Sequence, residues 1–146
     1  MPEQSNPPDG HNKRPGRDSR TIKRAASQMR RVIVESPYTG YGETPEERLA
    51  NERENRRYAR AAVRDAIDRG ESPIASHLLL TQPGILDDNH PGERTLGIAI
   101  GLVWISVAQA SVVYIDRGIS VGMKHGIATA NAVGIPIEYR KIPDWK

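Results

Sequence analysis

The chain has no cysteine among its 146 residues. This absence excludes disulfide bonds and thiolate ligands for a metal ion, and it fits a reducing compartment such as the cytoplasm. The sequence also lacks the Walker and GxGxxG motifs, and His77, His90 and His125 do not have the spacing of metal ligands. We therefore expect no metal ion and no cofactor.

Long hydrophobic runs are also missing. The most apolar stretch, from Leu96 to Ala110, is too short to span a bilayer and contains Gly and Gln. No apolar run follows a basic stretch near the N-terminus, so the sequence shows no signal peptide. We expect a soluble, cytoplasmic protein that does not bind a membrane.

Positive charge is concentrated at the start of the chain. Residues 1–31 contain eight Lys or Arg and three Asp or Glu, a net charge of +5, and the remainder contains thirteen and fifteen, a net charge of −2. The remainder therefore has no basic face of the kind that marks a nucleic-acid-binding domain. The high isoelectric point belongs to the N-terminal segment.

Residues 1–30 are rich in Pro, Gly, Asn and Ser and have almost no apolar side chains. Such a segment cannot bury enough surface to offset its ordering entropy, so we predict a disordered basic tail. One or two helical turns over residues 21–31 are an alternative. Either the tail is solvated without a partner, or it contacts a polyanion weakly through its charge.

Residues 31–146 are predicted to form one domain of alternating strands and helices. Helix caps are clear at Thr44, where Glu47 completes a capping box, and at Gly70 and Gly134. The predicted strands cover residues 31–36, 72–80, 111–115 and 135–139, and the predicted helices cover residues 45–69, 91–110 and 120–133. Right-handed crossovers then give a three-layer α/β fold with a parallel sheet in the order 2-1-3-4.

In this topology the first and third strands end side by side, which makes their carboxyl ends the default ligand site. Tyr38, Thr39 and Gly40 follow the first strand. After the third strand, Ser120 can cap a helix whose free N–H groups would bind an anion or a polar ring. Gly118 and Gly122 would let a ligand approach the backbone. An ordinary turn followed by a capped helix is the alternative.

Other polar residues are predicted near the same rim. Asn55 leans inward from the first long helix, His77 lies near the carboxyl end of the second strand, and Arg94 lies near the start of the next helix. A structural role is the alternative for Asn55 and for His77. Asp87 and Asp88 are adjacent carboxylates in a loop, and they become relevant if this loop folds back over the rim.

The helix predicted over residues 91–110 has apolar residues around its whole circumference. One sheet cannot cover such a helix on all sides. We therefore expect a homodimer or a larger homo-oligomer that buries the rest of its surface.

Several segments resemble the nucleoside 2-deoxyribosyltransferase-like superfamily, and most closely its small members encoded by bacteriophages and prophages. The segments are VIVESPYTG, ENRRYARAA, PIASHLLL, LDD, VVYIDRGISVGM and GIPIEYR, and the resemblance covers about residues 31–143. The resemblance implies a flavodoxin-like fold, an oligomer, and N-glycosidase or N-deoxyribosyltransferase chemistry on nucleosides or nucleotides. In that chemistry a carboxylate stabilises an oxocarbenium-like transition state.

The resemblance also implies roles for individual residues. Tyr38 and Thr39 would hold the base, and Asp88, with Asp87 less securely, would match the loop aspartates that assist the reaction. The turn that would hold the sugar or its phosphate comprises Asp116, Gly118, Ser120, Gly122 and Met123. The candidate catalytic residues are therefore Asp88 and Asp116.

The chain departs from this family at two positions. Gly126 stands where the family has its glutamate nucleophile, and Ala110 stands where the family often has an aspartate. Either a water molecule activated by Asp88, Asp116 or Glu138 replaces covalent catalysis, or the protein binds a nucleotide derivative without chemistry. Two explanations are open for the glycine itself: room for a large ligand, or close packing of the helix on the sheet.

Overall fold

The computed structural model describes residues 19–146, except for the side chain of Thr21, and it is an α/β fold with helices on both faces of one sheet. The helices are α1 (Ser19–Ser27), α2 (Pro45–Asp68), α3 (Ser76–Leu79), α4 (Pro91–Ile105) and α5 (Val121–Val133). The strands are β1 (Arg31–Glu35), β2 (Ser72–Ile74), β3 (Ala110–Tyr114) and β4 (Ile137–Arg140).

The four strands are all parallel and lie in the order β2-β1-β3-β4, which confirms the predicted flavodoxin-like arrangement. The alternation of side chains along the central strands separates two cores. Val34 and Val112 pack under α2 with Tyr58, whereas Ile33 packs with Ile105 of α4 on the opposite face. This division decides which side chains at the strand ends can reach the site.

The helix ends follow the caps predicted from the sequence. The Thr44 hydroxyl accepts a hydrogen bond from the Glu47 N–H (3.1 Å), and the Glu47 carboxylate accepts one from the Thr44 N–H (3.2 Å). The Ser120 hydroxyl caps α5 in the same way, and Gly134 ends it with a left-handed backbone (φ 79°). Local sequence therefore determines where both helices begin.

The prediction of a second strand over residues 72–80 is wrong beyond Ile74. The chain turns there into the short helix α3, with a hydrogen bond from the Leu80 N–H to the Ser76 carbonyl (2.8 Å). A short apolar run does not by itself distinguish a buried strand from a helical turn. The Ser76 side chain packs against Gly101 of α4, so a contact distant in sequence selects the helix.

The segment predicted to be a disordered tail contains helix α1, which matches the helical alternative. Its Ala, Lys and Arg residues are good helix formers. Arg30 then joins the fold by binding the carboxylates of Glu71 (2.6 Å) and Glu138 (2.8 Å). Residues 1–18 of the predicted tail lie outside the described residues.

Helix α4 is shorter than predicted and ends at Ile105. It is not covered on all sides, because Leu96, Val103 and Trp104 are about half exposed or more. Over residues 19–146, no helix combines the length and the apolar character needed to cross a membrane.

Candidate functional site

A cavity of about 120 Å³ lies at the carboxyl ends of β1 and β3. Its walls come from the end of β1 and the loop that follows, from α3, from α4 and from the first two turns of α5. The predicted residues that line it are Tyr38, Thr39, His77, Asp88, Arg94, Ser120, Gly122 and Met123, and Gly126 lines it as well. Two loops and three helices distant in sequence therefore meet at one site, as the topology predicts.

Glu35, which the sequence reasoning missed, also lines this cavity. It is the last residue of β1 and shares the face of Ile33, so its side chain points toward α4 and α5. Its carboxyl group has no hydrogen-bond or ion-pair partner among residues 19–146, and burial raises its pKa to about 8. The available signal was a carboxylate that ends an otherwise buried strand.

The Glu35 carboxyl group lies against the backbone of Gly126 in α5. An ideal Cβ built on Gly126 would lie 2.5 Å from the Glu35 Cδ atom and closer still to its Oε1 atom. Of the two explanations predicted for the glycine, close packing of the helix on the sheet applies, because the space that a Cβ would need holds a carboxyl group from β1.

Ser36 and His77 form a polar pair in the cavity wall. The Ser36 Oγ atom lies 2.7 Å from the His77 Nε2 atom, and the Tyr38 ring meets the imidazole edge to face with 6.3 Å between ring centres. Burial lowers the pKa of His77 to about 4. The imidazole is therefore neutral at pH 7, and it orders the start of the loop after β1.

Asp88 is the second carboxylate in the cavity. Burial raises its pKa, and the positive charge of Arg94 acts in the opposite direction. Arg94 is the only Lys or Arg that lines this cavity in the described part of the chain. The site therefore combines three carboxyl groups (Glu35, Asp88 and Glu93), one cation, two tyrosine rings and an apolar wall formed by Leu80, Leu86, Ile98, Leu102 and Ile105.

Asp87 does not share the cavity with its neighbour. Its Oδ1 atom accepts a hydrogen bond from the Asn89 N–H (2.9 Å), which shapes the loop. Asp87 lines an adjoining open groove instead, together with Arg56 and Arg60. Asp88 borders both the cavity and this groove, whereas Asp87 borders only the groove.

Asp116 does not join the cavity either. Its Oδ2 atom accepts hydrogen bonds from the Tyr58 hydroxyl (2.6 Å) and from the Ile142 N–H (3.0 Å). Asp116 continues the alternation of Val112 and Tyr114, which directs it to the α2 face of the sheet. It thus ties α2 to the C-terminal segment, and the structure gives no support to a role as a water activator.

Glu138 is likewise engaged elsewhere. Its carboxylate is held by Arg30 and by Arg140 (2.5 Å), and these guanidinium groups lower its pKa to about 2. Glu71 binds the same two arginines. This four-residue cluster fastens the entries of β1 and β2 to the edge strand β4.

Three further predicted residues shape the site without lining it. Asn55 donates hydrogen bonds from Nδ2 to the carbonyls of Tyr38 and Thr39 (3.2 Å each), and so positions the loop after β1. A Cβ on Gly40 would overlap the backbone of α2, and Gly118 adopts a left-handed turn with φ 81°. Their roles are structural.

No group of three or more His, Asp or Glu side chains in the described part of the chain is arranged to hold a metal ion.

The chain belongs to the family described as a domain of unknown function, DUF7768, whose model matches residues 30–140. No curated protein matches the chain. The matched segment runs from Arg30 to the end of β4 and contains every element that lines the cavity.

Proposed function

We propose that the protein binds a nucleoside or nucleotide in this cavity and cleaves its N-glycosidic bond by hydrolysis or transfer. The observation that carries the proposal is that the carboxyl groups of Glu35 and Asp88 lie in one cavity and have different surroundings. N-glycosidic cleavage needs an acid for the leaving base and a carboxylate for the attacking group. The resemblance to nucleoside 2-deoxyribosyltransferase-like proteins supports the same class of substrate.

The rest of the cavity fits the parts of such a ligand. The Tyr38 ring and the apolar side chains of α4 suit a planar base, which gains from stacking and from burial. Arg94 and the N-terminus of α5 suit a phosphate or a polar sugar. Within residues 19–146, Arg94 is the single Lys or Arg in the lining, which favours a ligand with at most one phosphate.

Binding without chemistry is the second candidate function. Glu35 holds a proton at pH 7 and so carries no negative charge to stabilise an oxocarbenium ion. Asp116, the other candidate catalytic residue, lies outside the cavity. A protein of this kind would sequester or sense a nucleotide derivative.

The test is incubation with a panel of nucleosides and nucleoside monophosphates. Binding is measured as a rise in the thermal unfolding midpoint, and reaction is measured as free base by chromatography. We expect both. Asp88→Asn should reduce base release by about 100-fold, the usual range for removal of one acid–base group. The exposed Asp68→Asn variant is the control and should release base at the wild-type rate.

The two functions give different results in this experiment. Thermal stabilisation without base release would identify a binding protein. An unchanged midpoint and no base release across the whole panel would contradict both proposals.

A further inference from the structure

Glu35 places a carboxyl group in the cavity wall. Among residues 19–146 nothing donates a hydrogen bond to it and no cation pairs with it. The side chain is only half-buried and its oxygens are open to the cavity, since the Ser111 Oγ atom is the sole buried side-chain N or O atom without a hydrogen bond among residues 19–146. The open side of the carboxyl group faces the cavity, where a ligand would supply the missing partner.

Two elements determine the position of this carboxyl group. Strand β1 directs the side chain toward α5, and Gly126 leaves the space into which it fits. Glycine in a helix interior costs about 1 kcal/mol relative to alanine. This loss of helix stability falls at position 126 of α5, where a Cβ would collide with the Glu35 carboxyl group.

The charges around Glu35 do not favour its ionisation. The other titratable groups that line the cavity are Tyr38, Tyr41, His77, Asp88, Glu93 and Arg94. His77 is neutral at pH 7, and Arg94 influences Asp88 rather than Glu35. Desolvation is the sole cause of the shift in the pKa of Glu35, which leaves the group protonated at pH 7.

We infer that Glu35, seated against Gly126 and open to the cavity, is the acid that protonates the departing base. The inference rests on the proposed function. Glu35 directly precedes the loop that carries Tyr38, so a base held by this loop would lie close to the carboxyl group. A neutral carboxylic acid can donate a hydrogen bond to a ring nitrogen or a carbonyl of the base and then transfer its proton.

In the hydrolytic step the C1′–N bond breaks and its electron pair passes to the base, which receives the Glu35 proton. A water oxygen forms the new bond to C1′, and Asp88 accepts the proton that this water loses. The products are the free base and the sugar, and the proton returns from Asp88 to Glu35 through solvent.

The decisive comparison uses Glu35→Gln with two kinds of substrate. Gln has the shape of a protonated Glu and keeps a hydrogen-bond donor, so nucleoside binding should persist. Base release should fall by at least 100-fold. With a 4-nitrophenyl riboside, whose leaving group needs no proton, the loss should be less than tenfold. The exposed Glu46→Gln variant on α2 is the control and should match the wild type on both substrates.

A pH profile and an NMR titration complete the test. Wild-type base release should decline as the pH rises through about 8, because the acid is lost, and Glu35→Gln should not show this decline. In ¹³C spectra of labelled carboxyl groups, the ligand-free wild type should show a group titrating near pH 8 that is absent from Glu35→Gln.

The possible failures can be told apart. If the wild type releases base and Glu35→Gln releases it at the same rate, the proton-donor role is overturned and the proposed function stands. An equal loss on both substrates would overturn the role too, since Glu35 would then only maintain the shape of the site. If the wild type releases no base from any nucleoside, the proposed reaction and the proton-donor role both fail.

Discussion

The carboxyl group of Glu35 occupies the space that a side chain at position 126 would need. The two residues lie at the end of β1 and in the middle of α5, and an ideal Cβ on Gly126 would lie 2.5 Å from the Glu35 Cδ atom. A helix glycine and a strand carboxylate therefore form one structural unit in the cavity wall. Any side chain at position 126, including the glutamate that the family resemblance suggests, would displace Glu35.

The first prediction concerns the coupling of these two residues. In a Glu35→Ala background, Gly126→Ala should raise the free energy of unfolding by about 1 kcal/mol, because alanine favours helix. In the wild-type background the same change should give no gain, since the new Cβ must push the Glu35 carboxyl group aside. Urea denaturation of the four proteins measures the difference.

Gly122→Ala is the matched control for this cycle. A Cβ at position 122 would approach only the Ser120 Oγ atom, at 3.9 Å, so its effect should be the same in both backgrounds. Equal stabilisation by Gly126→Ala with and without Glu35 would show that the two residues do not interact.

The second prediction concerns the pH dependence of stability. The folded pKa of Glu35 is raised to about 8, so stability that is present below about pH 4.5 is lost as the pH rises through 8. Glu35→Gln removes this loss. The variant should be more stable than the wild type by about 3 kcal/mol at pH 7 and equally stable at pH 4, at 1.36 kcal/mol per pKa unit.

This comparison is made between two proteins at each pH. Contributions from His77 and Asp88 are present in both and cancel. Denaturation curves at several pH values give the result. A difference that does not grow between pH 4 and pH 8 would mean that Glu35 has an ordinary pKa in the folded protein.

The third prediction concerns the ionic cluster of Arg30, Glu71, Glu138 and Arg140. Arg140 is only 7% exposed, and its guanidinium group donates two hydrogen bonds to Glu71 (2.6 and 2.9 Å). Glu71→Gln would leave this buried charge poorly compensated, so the free energy of unfolding should fall by about 3–5 kcal/mol. The arginines lower the pKa values of both carboxylates, that of Glu138 to about 2, so both contributions are lost as the pH falls, and that of Glu138 is lost between about pH 4.5 and pH 2.

Asp68→Asn provides the comparison for this variant. Asp68 pairs with Arg64 on the surface, where 57% and 68% of the two side chains are exposed. Surface pairs contribute little, so this substitution should change stability only slightly. Similar losses from Glu71→Gln and Asp68→Asn would contradict the importance of the buried cluster.

The fourth prediction concerns self-association. Helix α4 exposes Leu96, Val103 and Trp104, and we expect a second copy of the chain to cover them. Light scattering should give about twice the chain mass of 16.2 kDa at micromolar concentration. Val103→Glu should reduce the mass to that of one chain, whereas Arg53→Glu on α2 should not. A wild-type monomer at this concentration would refute the expectation.

Local patterns in the sequence determined the architecture of this protein. The alternation of short β-branched runs with capped helices specified four parallel strands, and the right-handed crossover rule specified their order. The position of the cavity followed from that order, and so did the meeting of Tyr38 and Ser120 there. These features depend on hydrogen bonding and side-chain periodicity within a few residues, which the sequence displays directly.

Only the tertiary structure decided what the individual carboxylates do. Asp116 follows a strand and resembles a site residue, yet Tyr58 of α2 and the C-terminal segment engage it. Glu35 resembles an ordinary strand end, yet it lies in the cavity, without a partner among residues 19–146, because Gly126 leaves it room. The ionisation and the contacts of a charged group depend on desolvation and on the partners that packing brings near. Local sequence does not contain that information.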